Sequence, residues 1–249
     1  MPKTLARLTP KPLKKPLEWL YNRILYFGFA CYCPVCETYL RSFKRVGTAP
    51  WGDWVCPLCK SSTRHRMAWL FLKHRTDLFS TSGKKMLHIG PEKQFETRLK
   101  KVPGLDYITA DLNKPDVTMR MDITNIQLPN DFFDVIFCSH VLEHIPDDRK
   151  AMQELCRVLK PTGWAVIMVP LRDEKTFEDH SITDPAERKR IFGEADHVRR
   201  YGLDIKDRLE EAGFKVKVFM LDDVITGDKI ERYKIKNQRV FFCQKTLQP

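Results

Sequence analysis

The chain has 249 residues, 43% of them hydrophobic, which suffices for one sizeable α/β core and a small additional module. We find no repeat and no low-complexity tract, and we expect no processed leader. The net charge of +11 is uneven: residues 1–85 hold 16 Lys and Arg against 4 Asp and Glu, while the remainder is nearly balanced. Such a field attracts nucleic acid, an acidic membrane surface or an acidic substrate, unless it is only a solvated basic face.

Residues 1–30 are predicted to form a basic arm and an amphipathic helix. The arm, residues 3–15, combines four lysines and Arg7 with two prolines, is followed by Pro16, and is typical of an extended segment. The helix that follows, Leu17–Phe29, is aromatic and too short to span a bilayer. It either lies on an anionic membrane or packs on the rest of the protein, and we favour packing through four side chains: Trp19, Leu20, Ile24 and Phe27.

Residues 31–63 carry two Cys-x-x-Cys pairs, Cys33 with Cys36 and Cys56 with Cys59, separated by 19 residues. This is the spacing of a zinc ribbon, in which four thiolates surround one structural ion and leave no open position. The alternative is a disulfide framework, which requires an oxidising compartment. We predict zinc, and with it a reducing, cytoplasmic location.

Residues 64–83 are predicted to form a linker helix that begins with two arginines. Arg64 and Arg66 could form a clamp for an anionic substrate. The alternative is a helix start that is simply basic.

From residue 84 onward, short aliphatic runs alternate with segments of helical periodicity, clearest at Asp148–Leu159. Strand alternating with helix predicts a doubly wound, Rossmann-like parallel sheet. The runs predicted as strands are residues 85–90, 105–110, 117–121, 133–138 and 164–169.

Ligands bind such sheets at the carboxyl ends of the strands. Asp111 follows the Gly90 turn by 21 residues, the place of a ribose-binding carboxylate. Asp122 could accept from an adenine amine, with Leu112 and Ile123 as apolar faces for the ring. Each aspartate could instead be a helix N-cap or a turn former.

Two motifs then resemble the class I S-adenosylmethionine-dependent methyltransferases: Phe-Asp-Val-Ile-Phe-Cys-Ser-His-Val-Leu-Glu-His at 133–144 and Arg-Val-Leu-Lys-Pro-Thr-Gly at 157–163. The resemblance covers roughly residues 84–249. It implies S-adenosylmethionine as cofactor and a seven-stranded sheet, with residues 214–221 and 239–245 as the last two strands and the final one antiparallel.

The sequence departs from the family pattern at the first strand. His88 stands where the family has an acidic residue, and the glycine-rich turn is reduced to Gly90-Pro-Glu92. Glu92 is therefore our candidate for the cofactor's ammonium group. The resemblance also puts Ser139 and His140 beside the methionine part of the cofactor, and we name His140 and His197 as candidate catalytic groups.

Residues 171–200 are predicted to be a substrate-binding insert or lid, because long polar connections in compact domains tend to be functional. Its substrate-binding candidates are His180, Arg200 and the adjoining Tyr201. The alternative is a surface loop.

The sequence thus predicts methyl transfer to an oxygen or nitrogen of an anionic small or carrier-linked substrate. An RNA methyltransferase that holds phosphate with its zinc ribbon and basic arm is the second hypothesis. The third is a non-catalytic binding module on the same fold. The sequence does not specify an oligomeric state.

Overall fold

A computed structural model describes residues 10–47, 53–236 and 238–246. The chain forms two compact units, one of Met1–Asp77 with Met220–Gln238 and one of Leu78–Phe219 with Arg239–Pro249. The predicted boundaries differ here, since they place residues 220–238 in the catalytic domain. A buried arginine that bonds to both parts of the first unit explains the difference and is described below.

The described residues of the first unit form four short strands and four helices. Two antiparallel pairs form its strands, Cys31–Cys33 with Thr38–Leu40 and Lys44–Val46 with Asp53–Val55. Its helices are Lys11–Leu25, Thr63–Arg75, Leu221–Val224 and Asp228–Tyr233.

The N-terminal helix, Lys11–Leu25, begins earlier than predicted, so residues 11–15 are helical and not an extended arm. Proline is tolerated in a first turn, whose N–H groups have no partner within the helix, and Pro10 is the N-cap. Residues 3–9 of the predicted arm lie outside the described residues. The predicted packing through four apolar side chains is also wrong, because all four are exposed: Trp19 at 52%, Leu20 at 49%, Ile24 at 70% and, just past the end of the helix, Phe27 at 63%.

The predicted linker helix is part of a core. The Thr63–Arg75 helix buries every residue from Met67 to Leu72. It ends at Arg75, eight residues before the predicted boundary at residue 83. A helix that is apolar on all sides over two turns is an interior element, so it organises the first unit.

The second unit is built on a seven-stranded sheet. Its strands are β1 Lys85–Ile89, β2 Asp106–Asp111, β3 Met119–Arg120, β4 Phe133–Ser139, β5 Leu159–Met168, β6 Phe214–Phe219 and β7 Val240–Lys245. They lie in the order β6-β7-β5-β4-β1-β2-β3. All neighbouring strands run parallel except β7, which is antiparallel to both β5 and β6. This confirms the predicted fold class.

Helices pack on this sheet through apolar faces. The predicted helical stripe at Met152, Leu155 and Cys156 is buried in the main core, on a helix that ends at Val158. Leu159 belongs to β5, which begins sooner than its predicted start at residue 164. The helices of this unit are Lys93–Leu99, Asp148–Val158, Pro185–Phe192 and Ile205–Glu211.

The segment after β5 folds into a small ordered sheet. Strand Arg199–Gly202 lies between Leu171–Asp173 and Phe177–Glu178. Tyr201 is therefore in a strand, and the next helix begins at Ile205. Among the described residues, no helix combines the length and apolar character needed to cross a membrane.

Candidate active site and cysteine cluster

A pocket of about 740 Å³ opens where the carboxyl ends of β1 and β2 meet the loop after β4. This is the expected ligand position in a parallel sheet. Six of the eight residues predicted to bind the cofactor line it: Gly90, Asp111, Leu112, Asp122, Ile123 and His140. Glu92 and Ser139 are not in this lining, and their cofactor contacts stay predictions.

Gly90 turns the chain at the pocket floor. Its φ of +61° lies in the left-handed region, and a Cβ there would come within 2.8 Å of Val141 Cγ2. Only glycine meets both conditions without strain. The close contact also joins the end of β1 to the loop after β4.

Asp111 ends β2 with its carboxylate partly engaged by its own loop. Its Oδ1 accepts from the amides of Asn113 at 2.8 Å and Lys114 at 2.9 Å. Burial acts against the charged form, but these N–H groups and the Lys114 ammonium lower the pKa of Asp111. The turn-forming and ligand-binding roles are compatible, because Asp111 lines the pocket and its Oδ2, 3.6 Å from Lys114 Nζ, takes no part in the two amide bonds.

Asp122 follows β3 and is more exposed. Its Oδ1 accepts from the amide and the hydroxyl of Thr124, both at 2.8 Å, and these bonds lower the pKa of Asp122. The neighbouring Ile123 is buried, whereas Leu112 is 46% exposed at the pocket rim. A pocket lined by a carboxylate and two apolar side chains suits a planar ring that carries an amine.

His88, at the family's acidic position, is a core residue. Its ring is buried against Phe137, and its Nδ1 lies 2.6 Å from the Tyr107 hydroxyl. Burial raises the pKa of Tyr107, so the phenol keeps its proton for this bond. Glu92 is the N-cap residue of the Lys93–Leu99 helix and is half-buried.

The loop from β4 to the Asp148–Val158 helix carries His140, Glu143 and His144. His140 has a φ of +54°, and its amide donates to Met168 O at 2.8 Å. Its Nδ1 lies 3.3 Å from Glu143 Oε1, and Glu143 itself is 1% exposed. A strained backbone at a pocket wall is a common property of functional loops.

His197 approaches this loop from the insert. The His144 and His197 rings meet edge to face with centroids 4.7 Å apart. The Nδ1 of His197 lies 3.3 Å from Phe192 O, and burial lowers the pKa of His197. The predicted pair His140 and His197 thus lies around Glu143, although only His140 is in the pocket lining.

Arg199, which we did not select from the sequence, fixes the same loop. Its guanidinium, 1% exposed, donates to Leu142 O at 3.0 Å, Pro146 O at 2.7 Å and also Ile145 O. It also pairs with Glu178 at 2.8 Å. A buried charge with this many partners is a positioning group.

Three further residues complete this buried network. Arg208 bonds to Asp148 and Glu178, each at 3.0 Å. Tyr201 is fully buried and donates its hydroxyl to Asp148 Oδ2 at 2.5 Å, and burial raises the pKa of that phenol. The predicted substrate role of Tyr201 is therefore wrong, because its only polar atom is engaged in the interior. No local signal marks these residues, since their partners lie about 20 to 60 positions away.

The other insert candidates lie at the surface. Arg200 pairs with Asp173 and donates to Ile191 O at 2.9 Å. His180 is exposed on the connection between Phe177–Glu178 and the Pro185–Phe192 helix. The structure does not bring either one into the pocket lining described above.

The four predicted zinc ligands converge in the first unit. The Sγ atoms of Cys33, Cys36, Cys56 and Cys59 all lie within 4.8 Å of one another, and none of these cysteines is in a disulfide. The Cys33–Cys59 and Cys36–Cys56 sulfur distances are both 3.7 Å. A tetrahedron with zinc–sulfur bonds of about 2.3 Å has edges of about 3.8 Å, so the residues fit the ion.

The two Cys-x-x-Cys turns have the same local geometry. The residue after each second cysteine has a positive φ, 53° at Glu37 and 63° at Lys60. In the second turn, Lys60 N donates to Cys56 O, and Cys56 N donates to Ser61 O. The sequence spacing predicted the ligands, but no residue type marked these two left-handed positions.

Arg66 is not an anion clamp. It is fully buried, stacks 4.2 Å from the Phe43 ring centroid, and donates to four carbonyl oxygens: Trp54 O, Ser61 O, Tyr233 O and Lys234 O. It therefore joins the cysteine module to residues 220–238. Arg64 is half-buried on the same helix.

The chain is similar in sequence to known methyltransferases. A family model described as a methyltransferase domain matches residues 51–217. A ubiquinone/menaquinone biosynthesis C-methyltransferase, UbiE of Francisella tularensis subsp. novicida, is 26% identical over 153 residues, 55% of this chain and 56% of the relative. The Vibrio vulnificus protein of the same name is 24% identical over 52% of this chain and 51% of its own. The chain thus spans about half the length of these relatives.

Solved structures share the fold. The [4+2]-cyclase SpnF aligns over 94% of this chain and 97% of its own with a TM-score of 0.55 and 11% identity. The 1,6-didemethyltoxoflavin-N1-methyltransferase of Burkholderia thailandensis, solved with S-adenosylhomocysteine, aligns over 74% and 78% with a TM-score of 0.50 and 16% identity. At these identities the likeness shows the fold alone.

Proposed function

We propose that this chain, which belongs to the methyltransferase-domain family, is an S-adenosylmethionine-dependent methyltransferase that methylates an oxygen or nitrogen of a small or carrier-linked acceptor. The observation that carries the proposal is the convergence of the predicted cofactor residues on one pocket at the strand ends. Asp111 Oδ2 would bind the ribose, Asp122 and Ile123 the adenine, and Gly90 would let the methionine part approach the backbone.

The acceptor would enter at the far end of this pocket, beside His140, His144, Asp147 and Asp196. Methyl transfer needs an acceptor atom in line with the sulfonium carbon, so positioning supplies much of the rate. His140 is the pocket residue suited to take a proton from an oxygen or nitrogen nucleophile, and Glu143 Oε1 lies 3.3 Å from its Nδ1. Among the described residues that line the pocket, Lys114 is the only lysine or arginine. With so little positive charge, the pocket favours an acceptor that is neutral, or one whose charge is balanced by a bound cation, over an anion without a counterion.

Calorimetry with S-adenosylmethionine tests the cofactor site. Asp111→Ala should weaken binding by about 1.5 to 3 kcal/mol, or roughly tenfold to a hundredfold, through loss of charge-assisted hydrogen bonds. Asp111→Asn keeps an oxygen for the Asn113 and Lys114 amides, and it should also bind less tightly. Asp116→Ala, an exposed change on the same connection, is the control. Unaltered affinity in both Asp111 variants would remove this residue from the site.

A labelled-methyl screen of cell extract, separated into RNA, protein, lipid and small-molecule fractions, tests the acceptor class. We expect label in small molecules or lipid. Because the quinone-biosynthesis relatives are named C-methyltransferases, a labelled carbon would replace the oxygen or nitrogen assignment. Label in RNA alone would favour the second hypothesis, and absence of cofactor binding would favour a non-catalytic module.

We also propose a structural zinc ion in the cysteine cluster. The support is the tetrahedral edge length of 3.7 Å and burial of Cys33 and Cys56. Four thiolates complete the coordination shell, so the ion would hold the module together and take no part in methyl transfer.

Metal analysis tests this second proposal. Purified protein should contain zinc, and Cys56→Ser should lose it together with the fold of the cysteine module, because metal binding and local folding are coupled. Cys31→Ser is a matched control, since Cys31 is buried but lies outside the four-sulfur cluster. Full zinc content in Cys56→Ser would contradict the assignment.

The N-terminal helix supports a third proposal, contact with an anionic membrane surface. Leu13, Leu17, Leu20 and Ile24 are 42–70% exposed and follow a spacing of three and four residues, so they form one stripe. The opposite face carries Glu18, Tyr21, Asn22 and Leu25, which line an open cavity together with Pro57 and Lys60.

The N-terminal helix also carries positive charge beside this apolar stripe. At about 100° per residue, Lys14 and Arg23 lie on the two flanks of the apolar stripe, and both are exposed. An apolar stripe between cations is suited to the headgroup region of an acidic bilayer. RNA would use the cations but would leave the leucines in water.

Sedimentation with liposomes tests this surface. The protein should sediment with vesicles containing phosphatidylserine, less so at high salt, and Ile24→Glu should abolish binding. Gln127→Glu makes the same charge change at an exposed position of the second unit and should bind normally. Binding of Ile24→Glu equal to that of the unaltered protein, or retention on RNA alone, would contradict the membrane surface.

A further inference from the structure

Glu143 is the least explained polar group of the second unit. Its side chain is 1% exposed, and neither carboxylate oxygen accepts a hydrogen bond from any group in the described part of the chain. The nearest basic atom is His140 Nδ1, 3.3 Å from Oε1. Burying an ionised carboxylate without hydrogen bonds is costly, and a bound cation is one of the few ways to offset that cost.

Two histidines stand beside this carboxylate. Glu143, His144 and His197 can each direct one ligand atom so that all three atoms lie within 4.8 Å of one another. His144 is the next residue in the same turn, and His197 comes from the insert. Two imidazoles and one carboxylate form a ligand set suited to divalent first-row transition metals, with positions left open.

Both imidazoles also have the outer contacts that metal-binding histidines typically show. The Nδ1 of His144 faces Asp196 Oδ2 at 3.3 Å, and the Nδ1 of His197 faces Phe192 O at 3.3 Å. A proton on each Nδ1 leaves the Nε2 lone pair available to an ion. Arg199 holds the carbonyls of Leu142, Ile145 and Pro146, so the loop that carries the two first ligands is fixed before binding.

We propose that Glu143, His144 and His197 bind one divalent transition-metal ion at the acceptor end of the pocket, and that this ion receives an oxygen-bearing methyl acceptor. His144 and Asp196 belong to the pocket lining, so open metal positions would face the substrate space. An acceptor with two adjacent oxygen donors, such as a catechol-like diol or a hydroxy acid, would chelate the ion. The bound ion would thus let a pocket wall that is rich in carboxylates bind an oxygen ligand.

The chemistry balances without a redox step. The ion acidifies the acceptor hydroxyl, whose proton passes to His140 or solvent. The oxygen then forms a bond to the methyl carbon as the carbon–sulfur bond breaks, and neutral S-adenosylhomocysteine leaves with that electron pair. The ion stays divalent throughout.

Metal binding can be tested without the acceptor. We would titrate the full chain with Mn²⁺ and follow loss of the free-ion electron paramagnetic resonance signal, and in parallel measure zinc content after incubation with Zn²⁺. We expect Mn²⁺ binding, and a second zinc ion beyond the one proposed at the cysteines. Glu143→Gln, nearly the same shape, should lose both, and Asp196→Asn should weaken Mn²⁺ affinity roughly tenfold to a hundredfold.

His180→Ala, an exposed histidine of the same insert, should bind both ions like the unaltered protein. The proposal is overturned if the unaltered chain takes up neither ion outside the cysteine cluster, or if Glu143→Gln takes up as much as the unaltered chain. Only the acceptor step rests on the proposed function. Calorimetry with S-adenosylmethionine distinguishes failure of the metal site from failure of that function. Cofactor binding without a second ion would refute the metal site alone, whereas absence of cofactor binding would refute methyl transfer.

Discussion

Replacing Arg199 with methionine should destabilise the second unit and loosen the loop after β4. The change removes the donors to three loop carbonyls and one of the two guanidinium partners of Glu178. Loss of one partner from a buried ionic network typically costs about 3–5 kcal/mol. Because Arg208 still bonds to both carboxylates of the network at 3.0 Å, we expect the lower end, about 3 kcal/mol.

Denaturant unfolding followed by circular dichroism measures the free energy, and hydrogen exchange locates the effect. The amide of Val198 donates to Glu143 O at 2.9 Å, so its protection reports on contact between insert and loop. Arg149→Ala breaks an exposed ion pair with Glu211 and should cost less than about 1 kcal/mol. If Arg199→Met were no more destabilising than this control, or if Val198 kept its protection, our account of the loop would fail.

Two other predictions concern acid stability and the pocket floor. Burial opposes ionisation of Glu178, but Arg208 and Arg199 lower its pKa to about 2. The stability that this carboxylate contributes, about 3 kcal/mol, is therefore present above an unfolded-state pKa of about 4.3 and is lost as pH falls toward 2. Unfolding midpoints at pH 5 and pH 3 should differ less in Glu178→Gln, and an equal difference would contradict the assignment. Gly90→Ala, strained by its φ of +61° and the 2.8 Å approach to Val141, should weaken S-adenosylmethionine binding in calorimetry, while Gly83→Ala, whose Cβ meets nothing within 4 Å, should affect only the local turn.

The central sheet was predictable because its signals are local. Each apolar run between Lys85 and Met168 is bounded by turn residues, and burial on both faces requires such runs whatever the partner. The four cysteines were predictable for a similar reason, since each Cys-x-x-Cys turn positions two sulfurs by itself. What these signals could not give was the extent of β5, whose first residues, Leu159 to Gly163, include a proline and a glycine.

Polar residues were assigned less well, because their environments depend on distant partners. In the sequence, Arg66 lies beside another basic residue at the start of a helix. Its guanidinium nevertheless donates to the carbonyls of Tyr233 and Lys234, which are more than 160 positions away along the chain. Tyr201 lies in a polar stretch of sequence, but its hydroxyl donates a hydrogen bond to Asp148 in the core. An arginine in a basic run and a tyrosine in a polar one have the same local pattern whether they bind a ligand or hold the fold.

The insert after β5 shows why this distinction matters for function. Its strand Arg199–Gly202 directs Arg199 into the carbonyls of the loop, and two residues earlier His197 reaches the same loop beside His144. Since both contacts come from one short segment, any shift of that segment would alter loop position and the surroundings of Glu143 together. We therefore propose that the insert is part of the acceptor wall and not a cover over it. Specificity for the acceptor should then change with substitutions near His197 more than with those near the exposed His180.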